Sequence, residues 1–357
     1  MPVSADAESW LRLTLVPGVS EDAVRRLLVA HGSPQAVLDA SVADLRATVP
    51  ATLAKAIRTG APPERVDAAL RWLAEDNNHL VTLGDEVYPL SFLELSDPPP
   101  LLYVKGRSEL LTRRGIAVVG SRNATPQGME TARSFARALS DAGLVVVSGL
   151  ALGIDAAAHE GALEGRASTI AIVGTGLDIV YPARNRELAH KVARDGALVS
   201  EFALGTPALA ANFPRRNRLI SGMAKGCLVV EAALSSGSLI TARLANEQGK
   251  DVFAIPGSIH SALSKGCHVL IKQGAKLIDS VQDILEELHV DGGAPTTEGS
   301  SSEAHPLLAL MGYDPCDVDT LAARSGLDAA EIAALMTRFE LEGHIAAMPG
   351  GRYQRTH

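Results

Sequence analysis

The sequence predicts an α/β protein whose core is a Rossmann-like parallel sheet, with an all-α unit before it and a winged helix after it. Three observations carry this. Residues 1–75 place apolar residues at helical spacing and hold no strand-like run. From Gly115 onward, short β-branched apolar runs alternate with amphipathic stretches, the pattern of a parallel sheet covered on both faces. After a polar stretch at 289–304, two short helical patterns lead into two strand-like segments around Pro349-Gly350-Gly351.

In the first 75 residues, helical periodicity is strongest at 10–15, 24–29 and 66–73. Val16-Pro17-Gly18-Val19 interrupts the first pair, and Ser20 is placed to cap the next helix. This turn resembles a helix-hairpin-helix (SAM-like) element, whose backbone N–H groups can face a DNA phosphate. Residues 45–57 look like a degenerate second copy, with Val49-Pro50-Ala51 where a glycine would be needed. The alternative is a helical packing or protein-contact unit. Eight Lys/Arg against nine Asp/Glu in this region favour that alternative.

Pro89 and Pro98-Pro99-Pro100 break residues 80–112 into edge strands and turns. Core strands are then expected at 116–119, 144–147, 169–173, 197–199, 228–230, 252–255 and 276–278. The stretch 289–304 is rich in Gly, Ser, Thr and acidic residues and reads as a flexible linker. The expected organisation is therefore a helical unit at 1–75, an α/β domain at 80–288, the linker, and a winged helix at 305–357. That last unit places helices at 318–325 and 329–342 and a hairpin at 345–355.

Bulk properties set limits. The chain has 357 residues, 46% of them apolar, and a formal net charge of −8. An acidic whole argues against general nucleic-acid affinity, so any such binding must come from a local basic patch. Cys227, Cys267 and Cys316 are far apart and lack metal-ligand spacing, which fits a reducing cytoplasm. The start shows no signal pattern, and no apolar run is long enough to cross a bilayer. The expectation is a soluble cytoplasmic protein without membrane association, cofactor or metal.

Several core strands end in glycine or serine turns: Gly120-Ser121, Ser148-Gly149 and Gly174-Thr175-Gly176. In a parallel sheet these lie along the carboxyl edge, where doubly wound folds bind ligands and helix N-termini attract anions. Arg122 follows Gly120-Ser121 directly, and Thr125-Pro126 starts a helix. Hydroxyl, guanidinium and helix terminus together suit a phosphodiester. The sharpest local signal is Phe213-Pro214-Arg215-Arg216-Asn217-Arg218. Residues 212–227 hold four Lys/Arg and no Asp/Glu. Three arginines at the positive end of a helix dipole call for an external anion. Phe213 beside them fits a base-stacking platform. Asp155 suits a helix-start role better than a ribose contact. Glu231 ends a strand at the same rim, as a general base or as the partner of a rim arginine. His159 and His260 read as structural, and no catalytic triad, metal cluster or acid pair emerges.

With these residues in place, the chain resembles the DprA (DNA-processing, Smf-type) family. The resemblance rests on residues 117–122, 148–155, 212–221, 229–232, 236–242 and 254–257, in order, across roughly 80–288. It implies binding and protection of single-stranded DNA, loading of the recombinase RecA during natural transformation, and a homodimer through the α/β domain. It puts the DNA-contacting arginine at Arg122, the aromatic contact at Phe213, and Arg215 and Arg218 in the basic helix start. A family lysine falls at Ala183 of Tyr181-Pro182-Ala183-Arg184-Asn185, so Arg184 or Arg186 would supply that charge. The expected DNA-binding set is Gly120, Ser121, Arg122, Ser148, Gly149, Arg184, Phe213, Arg215, Arg216, Asn217 and Arg218.

The C-terminal unit is a negative. It holds four Lys/Arg and seven Asp/Glu, too acidic for a base-reading helix. A protein-contact or weak duplex-contact module is expected there. The competing function is a nucleotide-hydrolysing enzyme with a lysine-decarboxylase-like fold. Ser236-Gly237-Ser238 would be its phosphate loop, and Glu231 would stand in for a missing catalytic glutamate. A dehydrogenase fits less well, because no Gly-x-Gly-x-x-Gly follows the first strand.

Overall fold

Helices fill the N-terminal region, where Ser and Pro punctuate the apolar periodicity. A computed structural model describes residues 5–290 and 305–356, so the expected linker falls almost wholly outside the described residues. The helices are α1 (Ala5–Thr14), α2 (Glu21–His31), α3 (Pro34–Asp39), α4 (Val42–Leu45), α5 (Ala51–Thr59) and α6 (Pro63–Leu73). Ser20 caps α2 by accepting from the Ala23 amide at 3.2 Å. Ser33 and Ser41 do the same for α3 and α4, satisfying amides that have no partner inside the helix.

The sheet follows, with β1 (Asn78–Thr82), β2 (Leu101–Gly106), β3 (Gly115–Val119), β4 (Val145–Ser148), β5 (Thr169–Ile172), β6 (Ala197–Ser200), β7 (Ala224–Val229), β8 (Asp251–Ala254) and β9 (Lys276–Leu277). Helices alternate with the core strands: α7 (Pro126–Asp141), α8 (Ile154–Glu164), α9 (Arg186–Asp195), α10 (Asn212–Met223), α11 (Ser238–Glu247), α12 (Lys265–Lys272) and α13 (Val281–Glu287). The spatial order is β1-β2-β6-β5-β4-β3-β7-β8-β9. The run from β6 to β9 is parallel, while β2 pairs antiparallel with both β6 and β1.

That order has one functional consequence. The chain lays strands outward from β3 to β6, then returns through α10 to place β7 on the other side of β3. Strand order reverses between β3 and β7, and such a reversal opens a crevice at their carboxyl ends. The loops after β3 and β7 begin at Gly120 and Val230.

Side chains of β3 alternate between two buried layers. Ile116 and Val118 pack with Ala132 and Ala136 of α7. Ala117 and Val119 pack with Leu219 and Ile220 of α10 and Ala242 of α11. Burial on both faces explains the unbroken apolar runs of the sequence. The N-terminal helices do not stand apart. Trp10, Leu27 and Trp72 share one apolar cluster with Tyr103 of β2 and Val192 of α9. Trp72 meets Tyr103 edge-on, with ring centroids 5.8 Å apart.

The C-terminal unit comprises α14 (Pro306–Met311), β10 (Cys316–Asp317), α15 (Val318–Ser325), α16 (Ala329–Leu341), β11 (Ile345–Met348) and β12 (Arg352–Arg355). Its sheet order is β10-β12-β11. Asp328 and Glu331 form a capping box at the start of α16. The expected hairpin and two helices are present; α14 and β10 are additions that the periodicity did not signal. The unit touches the α/β domain where Gln354 Nε2 donates to Gln127 Oε1 at 2.9 Å.

Helices α7 and α8 cross in backbone contact at Gly161, where a Cβ would overlap the Arg133 carbonyl. Gly161→Ala should therefore cost at least about 2 kcal/mol by overpacking. Urea unfolding with a midpoint equal to wild type would refute this packing.

Candidate nucleic-acid interface

The crevice between β3 and β7 has a volume of about 670 Å³ and is lined by Arg122, Tyr181, Phe213, Arg216, Asn217 and the turn before α11, among others. Its rim is Gly120-Ser121-Arg122, which is held from both sides. The Ser121 amide donates to the Glu231 carbonyl at 2.7 Å, and the Ile154 amide donates to the Ser121 carbonyl at 3.1 Å. Ser121 itself is buried, and its hydroxyl accepts from the Asn123 amide at 3.1 Å. Arg122 is exposed and makes no ion pair among the described residues.

Glu231 anchors this rim through its side chain as well. Its Oε2 accepts from the Thr125 amide at 2.9 Å, and its Oε1 accepts from the Thr125 hydroxyl at 2.7 Å. Thr125 Oγ1 accepts in turn from the Gly128 amide, capping α7. A carboxylate at a helix N-terminus is favoured by the helix dipole. Burial pushes the Glu231 carboxyl up, and the two Thr125 hydrogen bonds oppose that rise. Glu231 thus engages a threonine and a helix start, not a rim arginine.

The arginines of α10 do not act as one cluster. Arg218 pairs with Glu201, lies 3.4 Å from Glu21, and donates to the Asp97 carbonyl at 2.5 Å. Arg215 lies 2.7 Å from Glu21 and 3.3 Å from Glu201, with its guanidinium 5.5 Å from the Phe202 ring centre. Both belong to a latch that fastens α2 to the α/β domain, reinforced by Arg25 with Asp97 at 2.6 Å. The expectation of an external anion for these two is corrected. The balancing carboxylates come from positions 21, 97 and 201, far from residues 212–227 in sequence.

Arg216 faces the other way. It is 4% exposed, lines the crevice, and donates to the Ile172 carbonyl. The space that a Cβ at Gly149 would take is filled by the Arg216 guanidinium. Gly149 is therefore buried and admits a side chain of the protein, where ligand approach was expected. Ser148 is fully buried too, its hydroxyl donating to the Val118 carbonyl at 2.7 Å, so it ties β4 to β3. Gly174 follows the same logic, since its missing Cβ lets the Phe213 ring approach.

Asp155 and His159 support the loop beneath the rim. Asp155 accepts from the Gly149 and Ala151 amides at 3.1 and 3.4 Å. Burial raises its carboxyl against the pull of Arg216. His159 Nε2 accepts from the Leu150 amide at 3.3 Å, while Nδ1 meets the Thr169 hydroxyl at 2.7 Å. Burial, then the Arg216 charge, pushes the imidazole down to about 3, so it stays neutral.

Phe213 is half-buried, with the Arg122 guanidinium 5.7 Å from its ring centre and the Tyr181 ring 5.4 Å away. Tyr181 is 46% exposed and extends the aromatic surface. In the sequence this segment stands out only by the absence of a family lysine at Ala183; Tyr181 directly before Pro182 was the one signal for it. Arg184 is exposed on the turn Ala183–Asn185, which Asn185 fastens to the Leu150 and Ala151 carbonyls. Among the described residues no group of three or more His, Cys, Asp and Glu is placed to hold a metal, and no helix is long and apolar enough to cross a membrane.

Comparison with known proteins converges on one family. Residues 79–289 match the family described as DNA recombination-mediator protein A, and residues 293–351 match the DprA winged helix domain. The chain is 42% identical over 360 residues to protein Smf of Escherichia coli K12, covering 97% of this chain and 95% of that one. It is 48% identical over 203 residues to DNA processing protein DprA of Streptococcus pneumoniae, covering 57% and 72%. Among solved structures, S. pneumoniae DprA aligns with a TM-score of 0.69 at 37% identity, covering 80% of this chain and 99% of that one. The Helicobacter pylori DNA processing protein A, described for its single-stranded DNA binding mode, aligns with a TM-score of 0.55 at 32% identity, covering 60% and 97%.

Two outcomes follow from the latch. Above about pH 8, where Glu201 is ionised, Arg218→Ala leaves it buried without its closest counter-charge and should cost about 3–5 kcal/mol in denaturant unfolding; a loss under about 1 kcal/mol there would mean that the latch contributes nothing. Burial and the neighbouring Glu21 push the Glu201 carboxyl up to about 8. The native state then binds more protons than the unfolded chain between about pH 4.5 and 8, so this group's contribution to stability falls as pH rises through that window. Wild type should lose stability relative to Glu201→Gln across it, and parallel pH profiles would disprove the shift.

Proposed function

Because the chain belongs to the DNA recombination-mediator protein A family, we propose that it binds single-stranded DNA across the crevice between β3 and β7 and delivers it to the recombinase RecA. The observation that carries the reading is Arg122. It stands exposed on a rim fixed by Glu231 and Ile154, without an ion pair among the described residues, and close over Phe213. A guanidinium held beside an aromatic ring is suited to clamp a phosphate while the adjacent base stacks.

In this reading Arg122 holds a phosphate, Phe213 and Tyr181 form the stacking surface, and Arg184 and Asn217 extend the polar rim. Gly120 and Ser121 shape the rim. Ser148, Gly149 and Arg218 support the site from inside the protein, and the exposed Arg215 steadies α10 through Glu21 and Glu201. Binding is tolerant of base sequence, since stacking and phosphate contacts read no base edge. The single-stranded DNA binding mode described for the H. pylori relative supports the ligand class. Homodimerisation through the α/β domain and a role in natural transformation extend the reading along the family resemblance. We read the protein as a mediator, not an enzyme. The nucleotide-hydrolysing alternative needs Glu231 as a free base, and both of its oxygens are engaged by Thr125.

Arg122→Ala should weaken binding of oligo-dT, oligo-dC and mixed single strands alike, by roughly 10- to 100-fold, because a charge-assisted bond is worth about 1.5–3 kcal/mol. Its plot of log affinity against log salt should become shallower by about 0.7, one single-strand phosphate. Unchanged affinity at moderate salt, measured by fluorescence anisotropy, would sink the assignment.

A further inference from the structure

The winged helix meets the α/β domain across a gap. Its apolar core is its own, built on Leu307, Met311, Leu321 and Phe339, and among the described residues none of it joins the apolar clusters of the sheet. The contact is polar instead. Gln354 is 4% exposed, and its Nε2 donates to Gln127 Oε1 on α7 at 2.9 Å and to the Tyr313 carbonyl at 3.1 Å. Those two bonds fix the turn carrying Tyr313 relative to the start of α7. Between the two units lies a cleft of about 680 Å³, lined on one side by Thr125, Gln127 and Pro256 and on the other by Tyr313, Met348 and Arg352. That volume is within the roughly 300–1,000 Å³ of sites for small organic groups.

Crevice and cleft are neighbours along the carboxyl edge. Asn123 lines the crevice and Thr125 the cleft; Leu263 lines the crevice, and Ala262 and Ser264 on either side of it line the cleft. One or two residues of backbone, at about 3.8 Å each, therefore separate the two. The cleft repeats the aromatic element of the crevice. Tyr313 is 49% exposed with the Arg355 guanidinium 4.8 Å from its ring centre, as Arg122 stands 5.7 Å from that of Phe213. The charge differs. Arg352 shares the cleft with Asp314 and Glu231, and both Glu231 oxygens are engaged by Thr125. One arginine against two carboxylates does not draw in a run of phosphates. An exposed ring between apolar walls at Ile255, Pro256 and Met348 suits a flat, uncharged heterocycle.

We propose that the cleft between the winged helix and the α/β domain takes a nucleobase of the bound strand where the strand leaves the crevice, stacked on Tyr313, while the phosphates on either side stay in solvent. Resting on the single-strand reading, this adds a base subsite on the winged helix to the phosphate clamp at Arg122. An acidic winged helix can serve in this way, because stacking needs a π-face and not a positive field. Every base has such a face, so the subsite keeps the binding tolerant of sequence. The Gln127–Gln354–Tyr313 chain of hydrogen bonds sets the ring at a fixed place beside the rim, so that one strand is gripped by both units.

Tyr313→Ala and Tyr313→Phe in the full chain test this, with oligo-dT of about 20 nucleotides, longer than the roughly 4–16 that one single-strand-binding module covers. Tyr313→Ala should bind it at least about fivefold more weakly, the low end for one stacked base. Its salt slope should match wild type, because no phosphate contact is lost. Tyr313→Phe keeps the π-face and should bind within about twofold of wild type. On an abasic strand of the same length and charge, Tyr313→Ala and wild type should bind alike. Wild-type affinity of Tyr313→Ala for oligo-dT would overturn the base subsite. So would an equal loss on the abasic strand, which would assign Tyr313 to holding the winged helix in place. If Arg122→Ala is also without effect, the single-strand reading falls with it; if Arg122→Ala weakens binding while Tyr313→Ala does not, the base subsite alone falls.

Discussion

The contact of Glu231 with Thr125 is the constraint on which the rest of the crevice depends. It joins the end of β7 to the start of α7 across the point where strand order reverses. Backbone and side chain of one residue act together there: the carbonyl holds Ser121, and the carboxylate caps α7 through Thr125. Without that tie, the loop carrying Arg122 would close on Ile154 alone. A long, rotamer-rich arginine is useful at a binding rim only if its backbone is placed beforehand, because ordering the loop on binding costs free energy.

The second constraint is electrostatic. An acidic chain concentrates basic residues on one helix and then divides them by direction. Residues 215 and 218, one turn apart on α10, face the carboxylates of Glu21, Asp97 and Glu201. Residues 213 and 216, also one turn apart, face the crevice. The i, i+3 spacing of a helix puts each pair on its own side. The helix that presents Phe213 to the ligand is therefore clamped from behind by the N-terminal helices. Those helices, which by composition are unremarkable as a DNA module, contribute by fixing α10.

Glycines at the carboxyl edge serve internal packing first. Gly149 makes room for Arg216, Gly174 for Phe213, and Gly128 for the Glu231 carboxylate. Each lets a side chain that defines the site approach a backbone closely. A glycine-rich rim thus signals a crowded edge, and the surface open to a ligand is built from the residues the glycines admit.

Much of the fold was legible in the residues. Every core strand from β3 to β9 was anticipated within a few residues, because doubly buried strands leave continuous apolar runs. The winged-helix order was visible through Gly326 and the Pro349-Gly350-Gly351 turn. Arg122 and Phe213 were also legible, one from its position after a strand-ending Gly-Ser and the other from its basic neighbours. The sorting of the arginines was not, nor was the place of Tyr181. The sequence by itself determined that this protein has a parallel sheet with a charged, glycine-lined carboxyl edge, since period and composition are local properties. Only the tertiary structure decided which charges on that edge are spent within the protein and which remain for a ligand, because the partners of Arg215, Arg218 and Glu231 lie between 14 and 197 positions away in the chain and meet only when the sheet closes.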